Sequence, residues 1–305
     1  MTETEQILTS ILNCRRVDLY TRLSHPERSE GSLNRDSSLR PSDFAQNDIA
    51  KLLLTDAQNE QFQNMLKRFE SGEPLQYILG DCEFMGLRLQ VDRRVLIPRP
   101  ETELLVEMAV EEIIRNFVGA GPRACLGQPQ GVARTRILDL GTGSGNIAIA
   151  LAKFLPQARI FAVDISSDAL DVAQLNAQQQ GVENRIEFIL ADMRLYIEKT
   201  AEVFDVIISN PPYIPTAQMS QLPNNVQQEP RLALDGGVDG LDFYRTIVAN
   251  AGRLLRKDGW LFFEIGDGQR KEIENIFLSF PEIQLTQCRK DYMNTDRILM
   301  AKKIN

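Results

Sequence analysis

Arg136-Ile137-Leu138-Asp139-Leu140-Gly141-Thr142-Gly143-Ser144-Gly145 is the stretch whose reading decides the fold. Its first half is a short apolar run that suits a buried strand. Its second half is a glycine turn, and Asn146 to Phe154 then reads as a helix. Glycines there let the backbone turn tightly and approach a ligand with no Cβ in the way. The helix start adds N–H groups with no intrahelical partner. The spacing is Gly-x-Gly-x-Gly rather than the Gly-x-Gly-x-x-Gly of dinucleotide folds. Pyrophosphate binding, and with it a nicotinamide-dependent dehydrogenase, is disfavoured.

Downstream the same grammar repeats. A strand from Arg159 to Val163 ends in Asp164, an acid whose strand-tip position allows it to accept both hydroxyls of a ribose. A helix from Ser167 to about Gln179 is stopped by Gly181. A third strand, Ile186 to Leu190, leads to Asp192 and Met193. Met193 has two readings: ordinary packing, or contact with an adenine in the ligand crevice. A fourth strand spans Phe204 to Ser209. The helix Leu241 to Leu255, a strand Gly259 to Glu264, and a closing pair over Ile283–Arg289 and Arg297–Ala301 complete the series. Alternating strands and helices predict an α/β, doubly wound sheet. Right-handed crossovers place the loops named here along one edge.

The fourth strand runs into Asn210-Pro211-Pro212-Tyr213. The prolines stop the strand and remove two backbone donors. Pro-Pro alone would be a plain turn. At the carboxyl end of a buried parallel strand, the same run presents an amide side chain, carbonyls and an aromatic ring to the crevice. That set suits a planar amide or amino group.

Upstream, Ile7, Leu8, Ile11 and Leu12, then Val17, Leu19, Tyr20 and Leu23, form apolar patterns of helical type. Thr55 with Gln58 reads as a capping box, and Phe62, Met65, Leu66 and Phe69 line one helix face. Residues 24–48 and about 118–135 are polar or rich in Gly, Pro and Ala, and are expected to be loop insertions. Phe84, Leu87, Leu89 and Val91 around Gly86 predict a β-hairpin. Ile97-Pro98-Arg99-Pro100 is extended, with a helix starting near Thr102. Arg99 is either a connector residue or the partner of a carboxylate.

The chain carries a net charge of −8, which argues against a general nucleic-acid surface. Four scattered cysteines fit a reducing, cytoplasmic setting, and the single histidine, His25, supports neither a metal site nor a Ser-His-Asp triad. No apolar run reaches membrane-span length, and the polar N-terminus does not resemble a secretory signal.

The glycine turn, Asp164 and Asn210-Pro211-Pro212-Tyr213 resemble methyltransferases that use S-adenosyl-L-methionine to methylate exocyclic or amide nitrogens. Pro74 to Gly80, Ile97 to Thr102, and Glu229 to Arg245 with its Asp235-Gly236-Gly237 and Asp239-Gly240-Leu241 are similar to the release factor glutamine methyltransferases. The resemblance covers nearly the whole chain apart from residues 24–48 and 118–135. It implies a Rossmann-like, seven-stranded class I methyltransferase domain over residues 98–305. It also implies a helical domain over 1–80 that recognises the release factor, and a hairpin linker over 81–97. The implied reaction methylates the glutamine of a Gly-Gly-Gln motif and so modulates translation termination. Backbone at Gly141, Thr142, Gly143, Ser144 and Gly145 is implied to hold the cofactor's amino-acid part. Asp164 would take the ribose, Met193 the adenine, and Asn210 the region of the methyl group. Asn210, Pro211, Pro212 and Tyr213 are implied to hold the glutamine amide, with Asn210, Pro211 and Tyr213 as the catalytic set. Arg99 and Thr102 are further candidates. Asp139 is expected to orient the turn or bind water near the cofactor's ammonium. The product would be S-adenosyl-L-homocysteine, with no metal and no direct nucleic-acid partner. The main rival is an adenine-N6 nucleic-acid methyltransferase, opposed by the acidic charge because base flipping usually needs a basic groove. A non-catalytic module on a vestigial fold is opposed by the intact tetrapeptide.

Overall fold

The computed structural model describes residues 2–13, 54–117 and 135–304. The expected insertion at 24–48, that at about 118–135 apart from Thr135, and Val17, Leu19, Tyr20 and Leu23 lie outside them. The chain divides into two compact units, Met1–Gly80 and Asp81–Asn305.

In the first unit, helix α1 (Glu3–Ile11) starts from a Thr2–Glu5 capping box, and α2 (Asp56–Glu70) from the Thr55–Gln58 box read in the sequence. A short α3 (Leu75–Leu79), not anticipated, follows Pro74 and ends at Gly80 in the left-handed region, φ 82°. Ile7, Leu8, Phe62, Met65, Leu75 and Ile78 bury one another, with Leu66 and Phe69 at the margin. The predicted apolar face of α2 is therefore core.

The second unit opens with the hairpin β1 (Asp81–Phe84) and β2 (Leu87–Gln90), turning at Gly86 with φ 73°. Helix α4 (Pro100–Phe117) begins two residues before the expected start, since proline is already shaped for a first helical position. Then come β3 (Arg136–Leu140), α5 (Asn146–Phe154), β4 (Arg159–Asp164), α6 (Ser167–Gln180), β5 (Ile186–Leu190), α7 (Met193–Lys199) and β6 (Phe204–Ser209). After three short 3-10 turns follow α8 (Asp242–Leu254), β7 (Leu255–Glu264), α9 (Arg270–Phe277), β8 (Ile283–Lys290) and β9 (Asp296–Lys303). The sheet has seven strands in the order β5-β4-β3-β6-β7-β9-β8, parallel except for β9, which runs antiparallel to both neighbours.

Alternate strand residues feed opposite cores. Ile137, Ile160, Val206 and Ile208 pack with α4 and α5, whereas Leu138, Val163, Ile207 and Phe263 pack with α7, α8 and α9. Burying one such apolar side chain is worth roughly 1.5–3 kcal/mol, so these two layers dominate the stability of the unit. Strand β7 begins at Leu255 rather than at the expected Gly259. Leu255 pairs with Phe204 before the register shifts, and Asp258 takes φ 64° at the irregularity. The local sequence there reads as a turn; neighbouring β6 captures it as strand. No helix among the described residues is long and apolar enough to cross a membrane.

Candidate active site

The site lies where β3, β4 and β6 end. Leu140 and Ser209 are register partners, and the Ser209 hydroxyl donates to the Leu140 carbonyl at 2.7 Å. Gly141 and Asn210 therefore leave adjacent strands side by side. Asp164 ends β4 on the other flank of β3. The glycine turn, the acid and the tetrapeptide picked out in the sequence share one edge.

Gly141, Gly143 and Gly145 have φ 77°, 55° and 80°, which explains the alternating glycines. The turn is tied internally. Gly141 and Thr142 donate to the Val163 carbonyl, Gly145 to the Thr142 carbonyl, and Gly143 to Asp164 Oδ2 at 2.8 Å. Of the five amides, that of Ser144 has no acceptor among the described residues. The Thr142 and Ser144 side chains are buried rather than turned outward. Thr142 donates to Asp139 Oδ2 at 2.7 Å, while Ser144 Oγ has no partner among the described residues. The space beside the Gly143 Cα is open, whereas a Cβ on Gly145 would press on Ile149 and Ala173. Met193, the first residue of α7, is buried in the core, and a Cβ on Gly141 would sit 3.0 Å from its Cε. Met193 thus packs against the turn whatever else it contacts.

Asp139 is wholly buried. Burial pushes its pKa up to about 7 against the help of the Thr142 hydroxyl, and the nearby Asp164 charge adds to the rise. Its Oδ1 has no hydrogen bond of good geometry among the described residues, although the Ala148 amide in the first turn of α5 faces the carboxylate. Asp164 is also raised by burial, opposed by the Ser166 and Gly143 amides. Oδ1 accepts the Ser166 amide and Oδ2 the Gly143 amide, the Ile165 amide also faces the carboxylate, and lone pairs remain for a further donor.

Asn210 is half-buried. Its Nδ2 donates to Thr102 Oγ1 at 3.1 Å, and Thr102 donates onward to Glu264 Oε2 at 2.6 Å. Neither Asn210 Oδ1 nor the Pro211 carbonyl receives a hydrogen bond among the described residues. Pro211 and Pro212 are buried; Tyr213 is partly buried. Burial and the Glu264 charge push the Tyr213 phenol up to about 12, so it stays neutral.

The tetrapeptide is gripped from behind. Gln269 Nε2 donates to the Tyr213 carbonyl at 2.9 Å, and its Oε1 accepts the Gly266 amide at 3.0 Å. A Cβ on Gly236 would lie 2.7 Å from the Pro212 carbonyl, and one on Gly240 would lie 2.3 Å from the Tyr213 carbonyl. Ile214 and Asp235 form a parallel bridge that keeps this approach close. Arg99 does pair with a carboxylate: it bonds Glu229, which is buried and also accepts the Ile97 amide. This ties the extended segment before α4 to the loop after Tyr213.

Sequence reasoning passed over Glu264, Gln269, Glu229 and Asn176 as functional or supporting groups. Asn176, on α6, bonds both backbone groups of Gln90 and the Ser144 carbonyl, at 2.7–3.0 Å. It joins the hairpin to the glycine turn. An asparagine set into the apolar face of α6, in line with Ala169, Val172 and Ala173, is the signal that the sequence offers.

The chain matches the family model of a methyltransferase domain over residues 132–297 and that of the PrmC N-terminal domain over residues 50–80. It is 42% identical over 248 residues to a release factor glutamine methyltransferase of Chlorobaculum tepidum, covering 80% of this chain and 79% of that one. It is 40% identical over 240 residues to the enzyme of that description from Moorella thermoacetica, covering 79% and 78%. A methyltransferase structure from Pyrococcus furiosus shares the fold at 14% identity and a TM-score of 0.50, covering 81% of this chain and 99% of that one.

Proposed function

The chain belongs to the release factor glutamine methyltransferase family, and on that premise we propose that it methylates the side-chain amide nitrogen of the glutamine in the Gly-Gly-Gln motif of peptide chain release factors. The methyl donor is S-adenosyl-L-methionine and the setting is the cytoplasm. The observation that carries this reading is the pair of unengaged acceptors, Asn210 Oδ1 and the Pro211 carbonyl, on consecutive residues at the end of β6.

The residues around the glycine turn fit such a cofactor. Asp139 and Asp164 make a negative site suited to a cationic amino-acid nucleoside. Buried behind the turn, Asp139 would act on an ammonium through its charge or a bridging water, the Ser144 amide offers a donor to a carboxylate, and the spare lone pairs of Asp164 suit ribose hydroxyls. Met193, packed against the turn, would offer apolar surface to an adenine. When bound, the cofactor supplies an electrophilic methyl group on a sulfonium and leaves as S-adenosyl-L-homocysteine.

An amide nitrogen is a poor nucleophile because its lone pair is shared with the carbonyl. Asn210 Oδ1 would accept one of its protons and the Pro211 carbonyl the other. Both acceptors favour the positive charge that grows on nitrogen during transfer, and one amide proton then passes to solvent to leave the neutral N-methyl amide. They also hold the nitrogen for in-line attack, so orientation supplies much of the rate. Tyr213, neutral and braced by Gln269, would cover the amide plane. The helical unit of residues 1–80 would recognise the release factor, with the 81–97 hairpin as linker and residues 98–305 as the catalytic domain.

Incubation with methyl-labelled cofactor and either a release factor or adenine-containing DNA tests the reading. Label is expected on the glutamine; label on DNA alone would overturn it.

A further inference from the structure

Glu264 ends β7 with its carboxylate fully inside the protein. An ionised carboxylate can only accept hydrogen bonds. The single proton of the Thr102 hydroxyl must then point at Glu264 Oε2, as it does at 2.6 Å. That leaves Thr102 only lone pairs to offer Asn210, so Asn210 must turn Nδ2 toward it. The two ends of a primary amide face opposite ways; once Nδ2 is committed, Oδ1 is presented on the other side. An unrestrained asparagine has no such preference, and the flipped form would present a donor to the donors of the glutamine amide.

We propose that Thr102 and Glu264 are positioning residues that lock the Asn210 side chain with its oxygen toward the substrate amide, so that the buried carboxylate acts on catalysis through two hydrogen bonds. This rests on the methyl-transfer reading given above. In this role Thr102 and Glu264 act through Asn210, and their contribution is direction.

The environment of Glu264 makes the lock pH-sensitive. Burial raises its pKa to about 7, against the Thr102 hydrogen bond. Arg297 on β9 and Arg99 before α4 lower it, and Glu101 raises it. Tyr213 and Tyr244 also face it, and the Tyr244 hydroxyl donates to the Glu264 backbone carbonyl at 2.9 Å. When Glu264 takes up a proton, its own O–H can donate to Thr102. The Thr102 proton then swings to Asn210, which must offer Oδ1 inward and Nδ2 outward. Turnover at saturating cofactor should fall as pH drops through about 7.

The experiment uses the full chain, a release factor and saturating S-adenosyl-L-methionine. Thr102→Val should lower kcat roughly tenfold to a hundredfold through misorientation, with cofactor affinity and the release factor KM changed by no more than about twofold. Thr102→Ser should recover most of the loss. In Glu264→Gln, whose amide can either accept or donate, the fall in kcat below neutral pH should vanish. In parallel, the Asn210 side-chain amide protons are followed by NMR, identified by their disappearance in Asn210→Ala. They should shift in Thr102→Val, return in Thr102→Ser, and titrate with Glu264 in the unaltered chain. Unchanged Asn210 resonances in folded Thr102→Val, or undiminished kcat, would overturn the lock. Resonances that respond as expected while no label reaches the release factor would uphold the lock and overturn the substrate reading.

Discussion

Asp139 and Asp164 stand at the ends of neighbouring parallel strands, and burial, aided by the charge of the second, pushes the first up to about 7. Ionising Asp139 in the folded protein is therefore uphill. Because its folded pKa lies above the ordinary carboxylate value, its contribution to stability is complete at low pH and is lost as pH rises through about 7. A bound cation reverses the balance by favouring the ionised form. Cofactor binding just below pH 7 should thus release a proton. Calorimetry in buffers of different ionisation enthalpy reads this directly; the release should be absent in Asp139→Asn. Binding without proton release in the unaltered chain would refute the assignment of Asp139 to the ammonium.

Removing the amide of Asn210 should separate chemistry from cofactor binding. Asn210→Ala is expected to lose roughly a hundredfold or more in kcat, the scale for deleting one preorganised transition-state partner. Cofactor affinity should stay within a few-fold, since the Asp164 and glycine-turn bonds do not involve Asn210. Titration of the cofactor against both proteins checks this. Equal turnover would rule out the amide-holding mechanism.

Gly240→Ala should damage the site without touching substrate. The new Cβ would meet the Tyr213 carbonyl at 2.3 Å and Gln269 Nε2 at 2.8 Å, at a residue with φ 77°. Overpacking costs about 1–3 kcal/mol, and a left-handed non-glycine residue adds about 1–2 kcal/mol. Denaturant unfolding should show the loss, and kcat should fall with it. A variant as stable and active as its parent would mean that the loop moves freely from Tyr213.

Asn176→Leu should loosen the hairpin. It leaves the Gln90 amide and carbonyl and the Ser144 carbonyl without their side-chain partner. Each buried group stranded in this way costs about 1–3 kcal/mol, less where water reaches it. Hydrogen exchange at Gln90 should quicken before exchange in β3 does. Unaltered protection at Gln90 would show that the hairpin is held by other contacts.

The parts of the site legible in the sequence are those whose chemistry is local. Gly141, Gly143 and Gly145 announce their backbone because only glycine adopts positive φ cheaply there. Asn210 is visible because an all-buried strand stops at two prolines. The supporting groups have no such signature. Thr102 lies 108 residues from Asn210 and 162 from Glu264, so nothing in either neighbourhood announces the bond between them. Glu264 closes an ordinary apolar strand, and Gln269 sits in a polar turn that could have faced solvent. The same limit applies to β7, where Arg256-Lys257-Asp258 reads as loop until β6 pairs with Leu255. Helix α7 was hidden because seven residues are too few to show a periodic face.

Strand β9 enters the sheet between β7 and β8, although it is the last strand made. Until residues 296–303 leave the ribosome, β7 has an open edge on the side away from β6, and Arg297 is missing from beside Glu264. The catalytic edge therefore cannot be completed strand by strand as β3 to β7 are made; it stays open beside β7 until β9 is present. Free chains truncated before Asp296 should be cut by protease within β7, whereas chains that include β9 should resist.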